Sequence, residues 1–361
     1  MLGVEAPGRC GGQVRGGRRG PIFPSRVHLL VGRFAPPVRR AGLKSPIAGA
    51  RPMRRLAAVI ATVIAVSVAV GTLGLAAPLS AQNFDAVQIR AQSLGGGIYM
   101  LMGQGGNIGL SVGEDGVFIV DDQFAPLTQK ILAAIADITS ESVRFVFNTH
   151  WHGDHTGGNE NLGRTGALIV AHENVRVRLS MDQVLERIGR PVAPTPAVPS
   201  AAWPVVTFTE DVTFHLNGDE LHAVHVANAH TDGDAIVHFK NANVVHMGDT
   251  FFRDRFPFID TATGGSIDGV IAAAGVALAL MDADTQVIPG HGALSTREDL
   301  RSYRDALRTM RDAVAELMDM GRSLEQIVAA RPIRAQAEAW GQNDGAEADF
   351  VATILHGVSA R

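Results

Sequence analysis

The stretch NTHWHGDHTGG, Asn148 to Gly158, places three histidines and an aspartate within six consecutive residues, His150 to His155. Immediately before it, VRFVFNT (143–149) is a run of apolar and aromatic residues that reads as a buried strand. LTQKILAAIADIT (127–139), further upstream, has apolar residues at helical spacing. The chain therefore passes from helix to strand and delivers the histidine run at a strand exit. In extended backbone, residues two apart point the same way, so His150 and His152 can grip one ion. Gly153 permits a sharp turn, after which Asp154 and His155 face a neighbouring position. Imidazole nitrogen and carboxylate oxygen without sulfur suit zinc with an open coordination position, and also admit manganese or iron. A polar loop that merely contains histidines is the competing explanation, and four liganding side chains at this spacing weigh against it.

One loop leaves such a site incomplete, and the second half of the chain offers the missing donors at strand ends. His230 lies in ANAHTDGD (227–234), Asp249 in VVHMGDT (244–250) and His291 in VIPGHG (287–292). Each follows an apolar run and precedes glycine or small polar residues, where loops carry chemistry above a rigid sheet. Seven donors are enough for two ions with one aspartate bridging. Around them the elements come in the same order twice. Strand-like QIRAQSL, IYMLMGQ, NIGLSVG and GVFIVDD lead into the first helix and the VRFVFNT strand. ALIVAH (167–172) reads as a strand, ENVRVRLSMDQVLERIG (173–189) as a helix, and the Pro-rich RPVAPTPAVPSAAWPVV (190–206) as a loop. VTFHLNG, ELHAVHVAN and AIVHFKNANVVHMGD read as three strands, SIDGVIAAAGVALALM as an apolar helix capped by Ser266, TQVIPGHG as a strand entering a loop, and Thr296 to Ala330 as mostly helical. Strands then helices, twice over, suggests two similar halves whose sheets face each other with helices outside.

Charge separates a leader from this body. Residues 1–81 hold 12 of the 32 Lys and Arg but only Glu5 of the 36 acids, leaving 20 basic against 35 acidic side chains beyond them. A body at a formal −15 repels phosphate backbones, which argues against nucleic acid as a partner. The only cysteine, Cys10, is in the leader, so the body has no disulfide framework and no thiolate ligand. Arg54 and Arg55 precede LAAVIATVIAVSVAVGTLGLAA (56–77), and small residues follow in PLSAQ, a pattern expected of a secretory signal peptide over 53–81 cleaved after Ala81. On this reading Met53 is the true start and residues 1–52, rich in Gly, Pro and Arg, lie upstream of it. The competing readings are a disordered basic tail and an uncleaved membrane anchor at Leu56–Ala77. Residues 82–361 are then the catalytic domain of a periplasmic or secreted protein, touching a membrane only if the signal peptide stays uncleaved.

The HxHxDH run, followed in order by AHTDGD, GDT and PGHG, resembles the metallo-β-lactamase-fold hydrolase superfamily over nearly all of residues 83–361. The resemblance implies an α/β fold, a four-layer αββα sandwich with a metal site at one edge. It also implies roles: His150, His152 and His230 for a first metal, Asp154, His155 and His291 for a second, and Asp249 bridging. The implied enzyme is a dinuclear zinc hydrolase in which metal-bound hydroxide attacks a carbonyl, with Asp154 orienting the nucleophile and handling its proton. His172, His215, His222, His225, His238, His246 and His356 match no ligand position of the family and read as structural. His222 and His225, three apart, fall on opposite faces of a strand.

The substrate is expected to be a small molecule with a cyclic or activated carbonyl, a β-lactam or lactone. Asp249 departs from branches of the β-lactamases that carry cysteine or lack the bridging aspartate, and it resembles glyoxalase II thioesterases and lactonases. The alternatives are thus a thioester hydrolase of glyoxalase II type and a mononuclear iron enzyme resembling persulfide dioxygenases, which leaves His155 and His291 spare. FFRDRFPFID (251–260) offers Arg253, Arg255 and Phe256 as a substrate wall, an arginine pairing a substrate carboxylate. The same segment also reads as a surface loop with its aromatics packed inwards. Trp203 is the candidate to overhang the site as part of a lid.

Overall fold

The computed structural model describes residues 83–187 and 190–359. The leader and signal-peptide expectations for residues 1–81 lie outside the described residues. Among the described residues no helix is long and apolar enough to cross a membrane.

The chain opens with an antiparallel meander, β1 (Arg90–Gly95), β2 (Ile98–Met102), β3 (Ile108–Gly113) and β4 (Gly116–Val120). Helix α1 (Thr128–Ala136) then crosses over to β5 (Val143–Asn148), which lies parallel to β4. The short helices α2 (Gly153–Thr156) and α3 (Asn159–Arg164) lead to β6 (Leu168–His172), and α4 (Glu173–Leu179) follows it. A ribbon of β7 (Gln183–Arg187) and β8 (Arg190–Thr195) precedes the edge strand β9 (Val206–Phe208), which completes a seven-stranded sheet in the order β1-β2-β3-β4-β5-β6-β9. The second sheet runs β10 (Asp211–Leu216), β11 (Asp219–His225), β12 (Ala235–Phe239), β13 (Val244–His246), then α5 (Ile267–Leu280), β14 (Gln286–Ile288) and β15 (Ser295–Thr296). Helices α6 (Arg297–Asp319), α7 (Leu324–Ala330), α8 (Arg334–Ala339) and α9 (Asp344–Ser359) close the domain.

Alternation along the strands decides the layering. Met100, Phe118, Val120 and Phe147 of the first sheet pack against Leu221, Ala223, Val237 and Ile288 of the second. The opposite face of the first sheet, with Leu110, Ile119 and Val146, is covered by Ile131 and Ile135 of α1. Ile236, Val245 and Val287 on the outer face of the second sheet are covered by α5, α6 and α9 through Ala274, Leu307 and Ile354. This is the expected αββα sandwich.

Three local readings change. The helix expected over 173–189 stops at Leu179. Asp182 Oδ1 accepts from Ala197 N–H at 2.9 Å, and the Gln183 amide folds back onto the carbonyls of Arg178 and Met181. The chain then extends into β7 and pairs with β8, a strand inside the segment read as a Pro-rich loop. A two-stranded ribbon has only edge strands, so a proline without an N–H is tolerated there. AIVHFKNANVVHMGD is two strands rather than one, turned at Asn243, whose φ is +57°.

Candidate metal centre

The strand ends of both sheets meet at one edge. His150 to His155 leave β5, His230 lies between β11 and β12, Asp249 follows β13 and His291 follows β14. The structure brings all seven candidate donors together. Ligand atoms of His150, His152 and His230 lie within 4.8 Å of one another, as do those of His150, His155 and Asp249, and those of Asp154, His155 and His291. His155 Nε2 is 3.1 Å from Asp249 Oδ1, and His291 Nε2 is 3.3 Å from Asp154 Oδ2 and 3.4 Å from Asp249 Oδ2.

The surrounding hydrogen bonds fix which ring nitrogen of each histidine faces inward. Asp260 Oδ2 accepts from His152 Nε2 at 3.1 Å, leaving the Nδ1 lone pair for the centre. The Phe258 carbonyl accepts from His230 Nδ1 at 2.7 Å, leaving Nε2 for the centre. These two lone pairs then face each other at 2.8 Å, an arrangement that a shared cation makes favourable. Asp121 does the same work on the other side. Its Oδ2 accepts from His155 Nδ1 at 2.7 Å and from Thr149 Oγ1 at 2.8 Å, while the Thr149 oxygen accepts from His150 Nδ1 at 3.0 Å. Its Oδ1 accepts from Thr149 N–H at 2.8 Å. Among the described residues, His150 Nε2, His155 Nε2 and Asp249 Oδ1 are buried and have no hydrogen-bond partner. Buried polar atoms are normally satisfied, so three orphans converging on one point fit divalent cations there.

Left to titrate among themselves, the donors perturb one another strongly. Burial and the neighbouring rings of His155 and His230 push His150 well below the usual imidazole range. Burial also acts to discharge His155, but Asp249, Asp154 and Asp121 outweigh it and raise it well above that range. His291, pushed down by burial and up by Asp249 and Asp154, ends raised to about 9. Burial opposes charge on Asp249, yet His155 and His291 hold it well below the carboxylate range. Opposed shifts of this size mark a functional cluster.

Bare backbone makes room for the rings. A Cβ on Gly106 would stand 2.1 Å from His155 Cε1, and one on Gly290 would stand 2.1 Å from Asp249 Oδ1. Asp121, Asp260, Gly106 and Gly290 were not singled out from the sequence. The signal for Asp121 is visible in retrospect: GVFIVDD ends an entirely apolar strand with two acids, both fully buried.

A cleft of about 380 Å³ opens over the donors, walled by Phe124, Trp151, Leu185, Phe252 and Phe258, with Asp154 and His291 at its base. Arg253, Arg255 and Phe256 do not line it. Arg253 pairs with Asp254 and Asp299 and donates to Ser295, Arg255 lies 5.7 Å over the Phe252 ring, and Phe256 stacks on Phe350 at 4.5 Å. The aromatics of the 251–260 segment divide: Phe252 and Phe258 face the cleft, while Phe256 packs against the C-terminal helices. Trp203 is also elsewhere, packed by Trp151 and Leu179 with its indole N–H on the Val198 carbonyl. The overhang comes instead from the ribbon, through Leu185 and Thr195. Of the remaining histidines, His172 stacks on His225 at 3.8 Å, His222 pairs with Asp211, and His246 donates to the Asn107 carbonyl.

Residues 102–318, more than half of the chain, match the model of the metallo-beta-lactamase superfamily. The chain belongs to that superfamily. The hydroxyacylglutathione hydrolase of Erythrobacter litoralis (strain HTCC2594) is 29% identical over 112 residues, 31% of this chain and 35% of that protein. The chain thus spans about a third of that relative's length. Among solved structures, a metallo-beta-lactamase from Pontibacter korlensis has a TM-score of 0.51 at 18% identity, covering 61% of this chain and 99% of its own. A stereoselective inverting sec-alkylsulfatase from Pseudomonas sp. has a TM-score of 0.53 at 15% identity, covering 74% of this chain and 50% of its own. At these identities the two structures establish a common fold alone.

Proposed function

We propose that the protein is an exported dinuclear zinc hydrolase that opens a cyclic or activated carbonyl substrate, with a lactone favoured over a β-lactam. The observation that carries this reading is the convergence of seven oxygen and nitrogen donors in overlapping groups of three, with buried donor atoms that have no hydrogen-bond partner among the described residues. Two bound cations would supply Lewis acidity and a water made nucleophilic near neutral pH. Asp154, whose side chain is a quarter exposed at the base of the cleft, is placed to orient that water and take its proton. Asp249, almost fully buried between His155 and His291, would be held by both centres. Asp260, Asp121 and the Phe258 carbonyl keep the imidazole tautomers fixed while Phe124, Trp151, Phe252 and Phe258 exclude bulk water.

Two observations favour the lactone. Among the described residues lining the cleft there is no lysine or arginine, so a carboxylate beside the scissile ring, as in penicillin-type lactams, would find no counter-ion in them. The body also lacks the cysteine that one branch of β-lactamases uses as a ligand. A second reading, thioester hydrolysis, is favoured by the local similarity to a hydroxyacylglutathione hydrolase. A mononuclear iron site is disfavoured because His155 and His291 both lie within reach of Asp154 and Asp249. Export rests on the signal-like segment 53–81.

The test is a parallel assay of a β-lactam, an acyl-homoserine lactone and a glutathione thioester with the zinc-loaded protein and its Asp154→Asn variant. Lactone turnover that falls at least about 100-fold in the variant is expected, the scale of losing a positioned acid–base group. A fully metallated protein that turns over none of the three sinks the reading.

A further inference from the structure

Phe252 and Phe258, which wall the metal cleft, also line a second cleft of about 240 Å³. It lies between the loop that follows Asp249 and helix α9, and Arg255, Gln342, Asp349 and Phe350 contribute to its lining. Its back is held firmly. Arg331 and Arg334 both pair with Asp344 and Glu347 at the start of α9, and Phe350 stacks on Phe256 at 4.5 Å.

Two charges in this cleft are uncommitted. Arg255 rests its guanidinium over the Phe252 ring and, among the described residues, pairs with no carboxylate. Asp349 pairs with no cation there; its hydrogen bond is made by its backbone carbonyl, which accepts from Thr353 Oγ1. The neighbouring Arg253, by contrast, is taken up by Asp254 and Asp299. Arg255 and Asp349 thus line one cavity without neutralising each other. A ligand bearing only a carboxylate meets the repulsion of Asp349, and one bearing only an ammonium meets that of Arg255. A head group with both charges on neighbouring atoms answers both residues.

We infer that this second cleft is a specificity site for the far end of the substrate and that this end is a free α-amino acid, its carboxylate on Arg255 and its ammonium on Asp349. The inference rests on the hydrolase reading above. It divides the labour: the metal cleft, with aromatic walls and no cation among its described lining residues, receives the uncharged carbonyl, and the cleft beyond Phe252 and Phe258 reads the zwitterion.

The test uses two compounds with the same single ester carbonyl, O-butyryl ε-hydroxynorleucine with its free α-amino acid and the corresponding N-acetyl methylamide. The zinc-loaded wild type is expected to prefer the zwitterion at least about tenfold in kcat/KM, mainly through KM, the scale of one charged hydrogen bond. Arg255→Gln and Asp349→Asn should each reduce that preference about tenfold while keeping full metal content, which reports an intact fold. Equal use of both esters by the wild type, or a preference kept in both variants, overturns the inference. If neither ester is cleaved, the hydrolase reading is still judged by the three-substrate assay above, and calorimetric titration with norleucine decides the site. Saturable binding weakened in both variants upholds the site, and absence of binding to the wild type refutes it.

Discussion

Asp121→Asn tests whether the hydrogen bonds behind the histidines govern metal affinity. Asp121 is fully buried with φ at +65°, a conformation asparagine tolerates well, so the substitution leaves the backbone unstrained and changes only charge and donor pattern. Three donors point at its two oxygens: Thr149 N–H, Thr149 Oγ1 and His155 Nδ1, at 2.7 to 2.8 Å. An amide can accept at only one of those positions, so its NH₂ must face donors. If it takes the Oδ2 position, His155 is driven to the tautomer that carries its proton on Nε2, the atom aimed at the centre. Charge-assisted bonds of about 1.5–3 kcal/mol become neutral ones of about 1 kcal/mol or are lost. The expected loss for the ion held by His155 is about 1.4–2.7 kcal/mol, the 10–100-fold range for such supporting groups. Competition against a chromogenic chelator reads this directly, as one weakened ion beside one less affected. Wild-type affinity at both positions would falsify the account of how the donors are oriented.

Three further outcomes follow from the same geometry. Gly106→Ala places a methyl 2.1 Å from His155 Cε1 and should cost about 1–3 kcal/mol of overpacking together with one equivalent of metal, measured by Tm and elemental analysis. In metal-stripped protein His291 titrates at about 9, above its unfolded value, so its contribution to stability is complete below about pH 6.5 and is lost as pH rises through about 9. Metal must displace that proton, so zinc uptake in weak buffer at pH 7 should acidify the solution, and an absence of proton release contradicts the assignment. Lys130→Met removes an ammonium that donates to the carbonyls of Phe84, Asp85 and Val87 and should lower stability by about 1–2 kcal/mol in urea, with faster proteolysis near residue 84.

What the sequence disclosed followed strand ends. His150 to His155, His230, Asp249 and His291 each stand where an apolar run stops, and a sheet's parallel strands deliver such positions to one edge. The groups that orient them were hidden for a different reason. Asp260 is held in contact with His152 from 108 residues away, and no local pattern marks that pairing. The 251–260 segment drew attention to its arginines and Phe256, but alternate aromatics point to different places, and only packing against α9 decides which. Gly106 and Gly290 matter for what they abut, which is invisible in GQGGN or IPGHG read alone. The ribbon was missed because 173–187 has no glycine or proline to stop a helix; Asp182 and Gln183 stop it through bonds that exist only once the chain has turned back.

The donors are divided between the two sheets, four residues from the first and three from the second, with the connection between them passing through the short step from Phe208 to Asp211. Neither sheet owns a usable coordination sphere, so an ion held there bolts one half of the molecule to the other. A polypeptide severed at that step would yield two pieces that recover metal only as they recombine, and metal retention would then count reassembled molecules.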